Sequence, residues 1–303
     1  MTVARVLKGD RAYARPSAAQ RAGRILAIAE RLDYRPNQAA KAVRTGRFGV
    51  IALIVPGAIE GRHLPADLLD GILAETEARE LHLSIAREPL PGGPPARLWR
   101  ERSVDGVLLI GAMMPMLGLS SLPYVTLGVE RTQASVFPDD VAAGRQATSL
   151  LRHLGHRAIA FIASRSGEAA RERGYREGLE GVAAQVITPA ADDHHAWARV
   201  LLTSLDRPTA VVCGSSVDAL TLMQVAAELG IAVPQALSLI TIDSVVVDVH
   251  ASHGPTRMAL PFRQVGRIGV AQLIARMTEP ACELASIGVP YELRDAGTCA
   301  PPA

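Results

Sequence analysis

Aromatic side chains are scarce in this chain: Phe, Trp and Tyr together make up 4% of its 303 residues. Single-stranded nucleic acid is held largely on aromatic faces, so the composition argues against a base-stacking platform. Long apolar runs are also missing. The most apolar stretches, residues 50–56 and 107–110, are far shorter than the roughly 20 residues that span a bilayer. Residues 1–15 are basic, yet they contain neither an uninterrupted apolar core nor a small-residue cleavage site, so no secretion signal is read there. A cytoplasmic protein with no membrane partner is expected. The three cysteines, Cys213, Cys282 and Cys299, are odd in number, widely separated and without metal-ligand spacing. They read as buried or incidental thiols.

Catalytic signatures are wanting as well. The chain has no glycine-rich phosphate cradle of the Walker type, no dinucleotide fingerprint and no serine elbow. His194 and His195 lie near Asp192 and Asp193, but adjacent side chains need not converge and no third ligand is specified. Neither an enzyme nor a cofactor nor a metal site is expected.

What the chain does have is a lopsided charge. Residues 1–49 carry 11 Lys or Arg against 3 Asp or Glu, a net +8, so with a formal total of +2 the remaining 254 residues carry −6. Such asymmetry is the footprint of a basic nucleic-acid module joined to an ordinary soluble domain. At 49% apolar and 20% charged residues, the chain is globular. Its length allows one large core or two medium ones beside a short appendage.

Within the basic segment, residues 2–7 suit a short helix ended by Gly9-Asp10. Ser17 is a plausible cap for a second helix over 18–32, with Ala22, Ile25, Leu26, Ala29 and Leu32 forming one apolar stripe. Pro36 breaks this pattern, and Asn37 can cap a third short helix over 38–44, with Gly46 beyond. A solvated basic face packed against the body is the plainer reading of these pieces.

Beyond Gly49, short β-rich runs alternate with helical patterns, the signature of an α/β fold with mostly parallel sheets covered on both faces. Strands are predicted over 50–55, 82–86, 107–110, 124–127, 159–163, 210–213 and 239–242. Helices are predicted over 66–80, 141–154, 168–178, 197–205, 217–229 and 262–277. Residues 89–95, with Gly92-Gly93, read as a turn or loop.

Thr2-Val3-Ala4-Arg5-Val6-Leu7-Lys8-Gly9 resembles the recognition helix of the lactose-repressor, or LacI/GalR, family of bacterial transcription regulators. Leu32-Asp33-Tyr34-Arg35-Pro36-Asn37 resembles that family's third-helix end, and residues 38–47 its hinge helix and basic exit. The body carries further matches: Val104-Asp105-Gly106-Val107, Asp139-Asp140 with Ala143-Gly144, Leu154-Gly155-His156-Arg157 and Arg171-Glu172-Arg173-Gly174-Tyr175. Pro208-Thr209-Ala210-Val211, Val233-Pro234, Leu239-Ile240-Thr241-Ile242-Asp243 and Pro261 continue in the family's order, so the resemblance runs to about Arg294.

The resemblance implies a periplasmic-binding-protein-like, two-lobed effector domain with parallel sheets, preceded by a partial helix-turn-helix and hinge helix. The implied divisions are 1–48 for the headpiece and hinge, 49–295 for the effector and dimerisation domain, and 296–303 for a tail. The first lobe is expected at about 49–155 plus 261–284, the second at about 156–260 plus 285–295. In the headpiece, Thr2 could touch a base methyl or a phosphate, Arg5 could pair with guanine, and Lys8 could anchor a phosphate. Asn37, Ala39 and Val43 belong to the hinge. Val43 stands where the family commonly inserts leucine into the minor groove, a shorter wedge. The family also has a first helix and tight turn before its recognition helix, and neither precedes Met1. Specific DNA binding by the chain as written is therefore expected to be impaired.

For the effector site, the resemblance points to Arg171 and Asp243, with Ser215 where asparagine is frequent. Their plainer readings are a surface ion pair for Arg171 and a helix or turn cap for Asp243 and Ser215. Residues 56–65 lack the family's Asp, Asn-Pro and paired aromatics, while Arg62 and His63 would tolerate an acidic ligand. A sugar or sugar acid is the expected effector class. His156 reads as a cap or lobe-contact residue. The expected function is ligand-controlled transcription, in the form of a repressor, by a homodimer on operator DNA. The alternative is a DNA-incompetent ligand sensor or dominant-negative partner; a transporter's solute-binding protein ranks lower, having no secretion signal here.

Overall fold

The computed structural model describes residues 16–34, 42–43, 45–55, 64–87, 103–111, 122–128, 134–163, 168–189, 195–243, 254–279 and 284–302, with Val3 and Val6, and of Asp243 the backbone alone. Thr2, Arg5, Lys8, Asn37, Ala39, Arg62 and His63 lie outside the described residues, as does the 89–95 loop. The basic segment contributes α1, Pro16–Arg31. Ser17 is inside this helix rather than capping it, because Pro16, with its preset φ and no N–H to satisfy, already opens the first turn. Of the predicted stripe, Ala22 is buried, whereas Leu26 and Leu32 remain 49% and 68% exposed.

The body forms two sheets of six strands each among the described residues. In the first, β1 (Val50–Val55), β2 (His82–Arg87), β3 (Gly106–Ile110), β4 (Tyr124–Leu127) and β5 (Ser135–Pro138) run in the order 2-1-3-4-5, all parallel. In the second, β6 (Ile159–Ile162), β7 (Gln185–Ile187), β8 (Ala210–Cys213), β9 (Ser238–Asp243) and β10 (Thr256–Ala259) repeat the order, again parallel. The chain then returns to each sheet in turn: β11 (Ile287–Val289) pairs parallel with β5, and β12 (Glu292–Arg294) antiparallel with β10. Parallel pairs need covered crossovers, which the helices supply.

Period-two alternation places neighbouring residues on opposite faces. On β1, Ile51 and Leu53 join one core with Leu68 and Ile72 of α2 (Ala66–Ala78) and Val265, Val270 and Leu273 of α7 (Phe262–Thr278). Ala52 and Ile54 join a second core on the far face. In the second sheet, Phe161 and Val212 pack under α3 (Asp140–His153) and α4 (Ala169–Gly178). Ile162 and Val211 pack under α5 (Ala196–Thr203) and α6 (Ser216–Glu228).

Two placements differ from the expected lobe boundaries. Helix α3 buries Ala143, Ala147 and Leu151 against the second sheet, so the first crossing falls at 138–140 rather than after 155. Strand β11 belongs to the first sheet, so the last crossing falls at 289–292. The apolar face of α3 decides the first case, and backbone pairing the second. Residues 296–302 are seated on the second sheet: the Leu239 N–H donates to the Thr298 carbonyl at 2.8 Å, and the Ala300 N–H to Ser238 Oγ at 3.0 Å. Where the basic segment joins β1, the Phe48 and Gly49 N–H groups donate to the Asp105 carboxylate at 2.8 and 2.7 Å.

Candidate functional site

In a sheet of order 2-1-3-4-5 the crossovers change sides between the first strand and the third, and a crevice opens beyond their carboxyl ends. In the second sheet that point lies between β6 and β8. Gly214 follows β8 there and donates its N–H to the Ile162 carbonyl at 3.0 Å. Ser215, 9% exposed, caps α6 by accepting from the Val217 N–H at 3.2 Å.

Arg171 is brought to these strand ends by a close helix crossing. A Cβ on Gly144 of α3 would collide with the Arg171 carbonyl, and one on Gly174 of α4 with the Val141 carbonyl. With both glycines in place, the α3 and α4 backbones touch and Arg171 lies beside the first residue of α3, Asp140. The residue is 9% exposed, and its guanidinium is engaged on several sides. Nε donates to Asp140 Oδ1 at 2.8 Å. Nη1 donates to the carbonyls of Gly214 and, at 3.1 Å, Ile242, while Nη2 reaches the Tyr291 hydroxyl at 3.4 Å. Tyr291 in turn donates to Asp140 Oδ1 at 2.8 Å.

Burial alone would lower the Arg171 pKa, but the Asp140 carboxylate and the hydrogen bonds to Tyr291 and Asp140 outweigh it, and the guanidinium stays protonated. Burial pushes the Tyr291 hydroxyl up, with the Arg171 charge opposing, so Tyr291 is a neutral donor. Two more acidic side chains line this end of the sheet. Glu168 is 5% exposed and lies against Gly214, where a Cβ would collide with its carboxylate; Asp218, 4% exposed, sits in the first turn of α6. Burial, then the negative charges of Asp218 and Glu168, hold the Cys213 thiol well above its usual range.

The residues selected from sequence therefore fall into two groups. Arg171, Ser215 and the end of β9 at Asp243 are assembled at one place, with Arg171 bonded to the carbonyls of Gly214 and Ile242, the neighbours of the other two. The ion pair read as the plain alternative for Arg171 exists, but it is buried; the cap read for Ser215 exists too. Val43, at the other end of the chain, is helical and 89% exposed. Asp140, Glu168, Asp218 and Tyr291 were not selected. Asp140 had a signal, the Asp139-Asp140 pair ahead of Ala143-Gly144; Tyr291 had none, lying between two three-residue strands.

His156, buried at 2%, is far in sequence from its partners: Nδ1 is 2.8 Å from Thr209 Oγ1, and Nε2 is 2.8 Å from the Ala300 carbonyl. Its side chain holds the tail within the second lobe, rather than capping a helix or joining the lobes as the sequence suggested. Among the described residues no group of His, Cys, Asp and Glu is arranged to hold a metal ion, and no helix is long and apolar enough to cross a membrane.

Comparison with known proteins places this geometry. Residues 148–299 match the model of the periplasmic binding protein-like domain. The HTH-type transcriptional regulator AglR of Rhizobium meliloti is 30% identical over 81% of this chain and 74% of its own length. A LacI family transcriptional regulator from Mycobacterium smegmatis is 29% identical, with a TM-score of 0.63 over 84% of this chain and 100% of that one. The complex of the transcriptional regulator CelR with cellobiose is 26% identical, with a TM-score of 0.65 over 98% of this chain and 95% of that one. These relatives are regulators rather than enzymes. With its two mostly parallel sheets, its crossings and its basic amino-terminal segment, the chain belongs to the LacI/GalR family of transcriptional regulators.

Proposed function

We propose that this protein is a ligand-responsive, DNA-binding repressor whose effector is a neutral, hydroxyl-rich molecule of the sugar class, bound beyond the carboxyl ends of the strands. The observation that carries the reading is the convergence of Arg171, Ser215 and the end of β9 at the switch point of the second sheet. The CelR relative was solved with cellobiose, a neutral disaccharide, which supports the class.

The electrostatics favour a neutral ligand over a sugar acid. An anion needs a donor fork, and the Nε and Nη groups of Arg171 are already committed to Asp140, Tyr291 and two carbonyls. Glu168 and Asp218 add negative charge nearby, and carboxylates accept from hydroxyls. Arg62 and His63, which raised the sugar-acid possibility, remain candidate contacts of the first lobe, together with Asp243 of the second.

On this reading residues 1–48 are the DNA-reading part: Thr2 and Arg5 face bases, Lys8 a phosphate, and Asn37, Ala39 and Val43 form the hinge. The exposure of Val43 suits a side chain offered to the minor groove. Two chains pair as a homodimer so that two reading heads meet a pseudo-palindromic operator. The lobes are best divided by sheet, with the chain crossing near 139, 261 and 290.

Calorimetric titration with cellobiose, ribose, glucuronate and glucose 6-phosphate tests the effector reading. A neutral sugar is expected to bind and to raise the melting temperature, with the charged analogues weaker by at least about tenfold, or 1.4 kcal/mol. Binding by the anionic members alone would overturn the assignment.

A further inference from the structure

Arg171 is the meeting point of side chains from two different crossings. Asp140 stands two residues after β5 of the first sheet and opens α3 on the second. Tyr291 lies between β11 of the first sheet and β12 of the second. Both reach the same guanidinium, and both share one oxygen, Asp140 Oδ1, which accepts from Arg171 Nε and from the Tyr291 hydroxyl at 2.8 Å each. The guanidinium is fixed in turn to the ends of β8 and β9 through the Gly214 and Ile242 carbonyls. A separate bond ties the same two crossings: the Asp139 N–H donates to the Val289 carbonyl at 3.0 Å.

We propose that Asp140 and Tyr291 are positioning residues that, through Arg171, latch two of the three crossings onto the strand ends of the second sheet and so set the relative arrangement of the two lobes.

The physical case rests on burial and on closure of the ring. Arg171 and Asp140 side chains are 11% and 19% exposed, so their attraction is weakly screened, and Tyr291 is 6% exposed. Removing one member leaves the others buried and under-satisfied, which is why such a ring holds a discrete geometry instead of drifting. The members come from α3, α4 and the segment between β11 and β12. All three are seated on the second sheet, with Tyr291 in the same core as Ala143 and Tyr175, so the ring fixes the second-lobe ends of both crossings and leaves rotation between the lobes only the short chain on their first-sheet side. The latch uses only groups of this chain, and its test is independent of which effector binds.

Tyr291→Phe is the informative variant, because it keeps the buried ring and the Asp140–Arg171 ion pair while deleting the hydroxyl that joins the last crossing. Spin labels carried on ketone side chains at Glu77 of α2 and Val200 of α5, both exposed, report the distance between lobes by double electron–electron resonance. The expected result is a narrow distance distribution in the unsubstituted protein and a broadened or shifted one in Tyr291→Phe. Amide exchange at 139–142, 287–289 and 291–294 should accelerate by about tenfold, the worth of one lost buried hydrogen bond. Leu151→Ala, a cavity in the second-sheet core, should lower the melting temperature and leave the distribution unchanged, which separates a positioning role from general destabilisation. If Tyr291→Phe does not fold, Asp140→Asn is read by the same two measurements. An unaltered distance distribution and unaltered exchange in the folded variant would overturn the latch.

Discussion

At Arg171 the family pattern pointed to an effector contact, while elementary chemistry allowed a surface ion pair. The side chain is buried instead, and its partners are the acid that opens α3, a tyrosine on the last crossing and two strand-end carbonyls. Its position was legible because Arg171-Glu172-Arg173-Gly174-Tyr175 carries both the arginine and the glycine that lets the helices touch. Its partners were not, since nothing local ties residue 291 to residue 171. His156 has the same history, with partners more than fifty residues away. Burial lowers its pKa from the usual 6.5, against the pull of the Ala300 carbonyl, so the unfolded chain takes up the proton first. The stability it contributes is complete above about pH 6.5 and is lost as pH falls toward the depressed folded value. Melting curves from pH 8 to 5 should therefore show a shallower acid loss for His156→Gln than for the unsubstituted protein; parallel curves would mean the ring does not titrate with unfolding.

Among the elements, those with continuous or alternating apolar runs were readable from sequence. Strand β1, Val-Ile-Ala-Leu-Ile-Val, is buried on both faces and could hardly be anything else. The five strands that escaped notice are short or mixed: β5 ends in Pro138, β7 and β11 are only Gln-Val-Ile and Ile-Gly-Val, β10 is Thr-Arg-Met-Ala, and β12, Glu-Leu-Arg, is exposed throughout. Their strand character comes from the neighbour they pair with, a tertiary cause that no local window contains. Helix α3 shows the same limit at the level of packing. Its extent was predictable from Ala143, Ala147 and Leu151, but which sheet that stripe would cover was not. The joint between the basic segment and β1 hangs on Asp105, which accepts from two backbone N–H groups just before β3. Asp105→Ala should leave the sheets intact and free that joint, with Phe48 and Gly49 amides exchanging at least about tenfold faster. Unchanged protection at both amides would show that the carboxylate does not hold them.

For the molecule as a whole, the repeated 2-1-3-4-5 order makes two similar halves joined by three crossings, and places the candidate effector site where strand ends meet the crossings. A ligand there can favour one arrangement of the halves, and Asp105 offers a route from the first sheet to the basic segment. Coupling of this kind is typically worth about 1–3 kcal/mol. The charge asymmetry, +8 in residues 1–49 against −6 in the rest, was the earliest sign of this division of labour. The central claim is that one end reads DNA under control of a ligand at the other. Selection from a randomised duplex pool, sequenced with and without the neutral sugar found by titration, tests it directly. The account predicts enrichment of a pseudo-palindromic sequence, at the reduced affinity expected of a partial helix-turn-helix, that the sugar shifts by about tenfold or more over a salt-dependent background of unspecific binding. Salt-dependent retention with no sequence enriched, or an enriched sequence indifferent to the sugar, would contradict it.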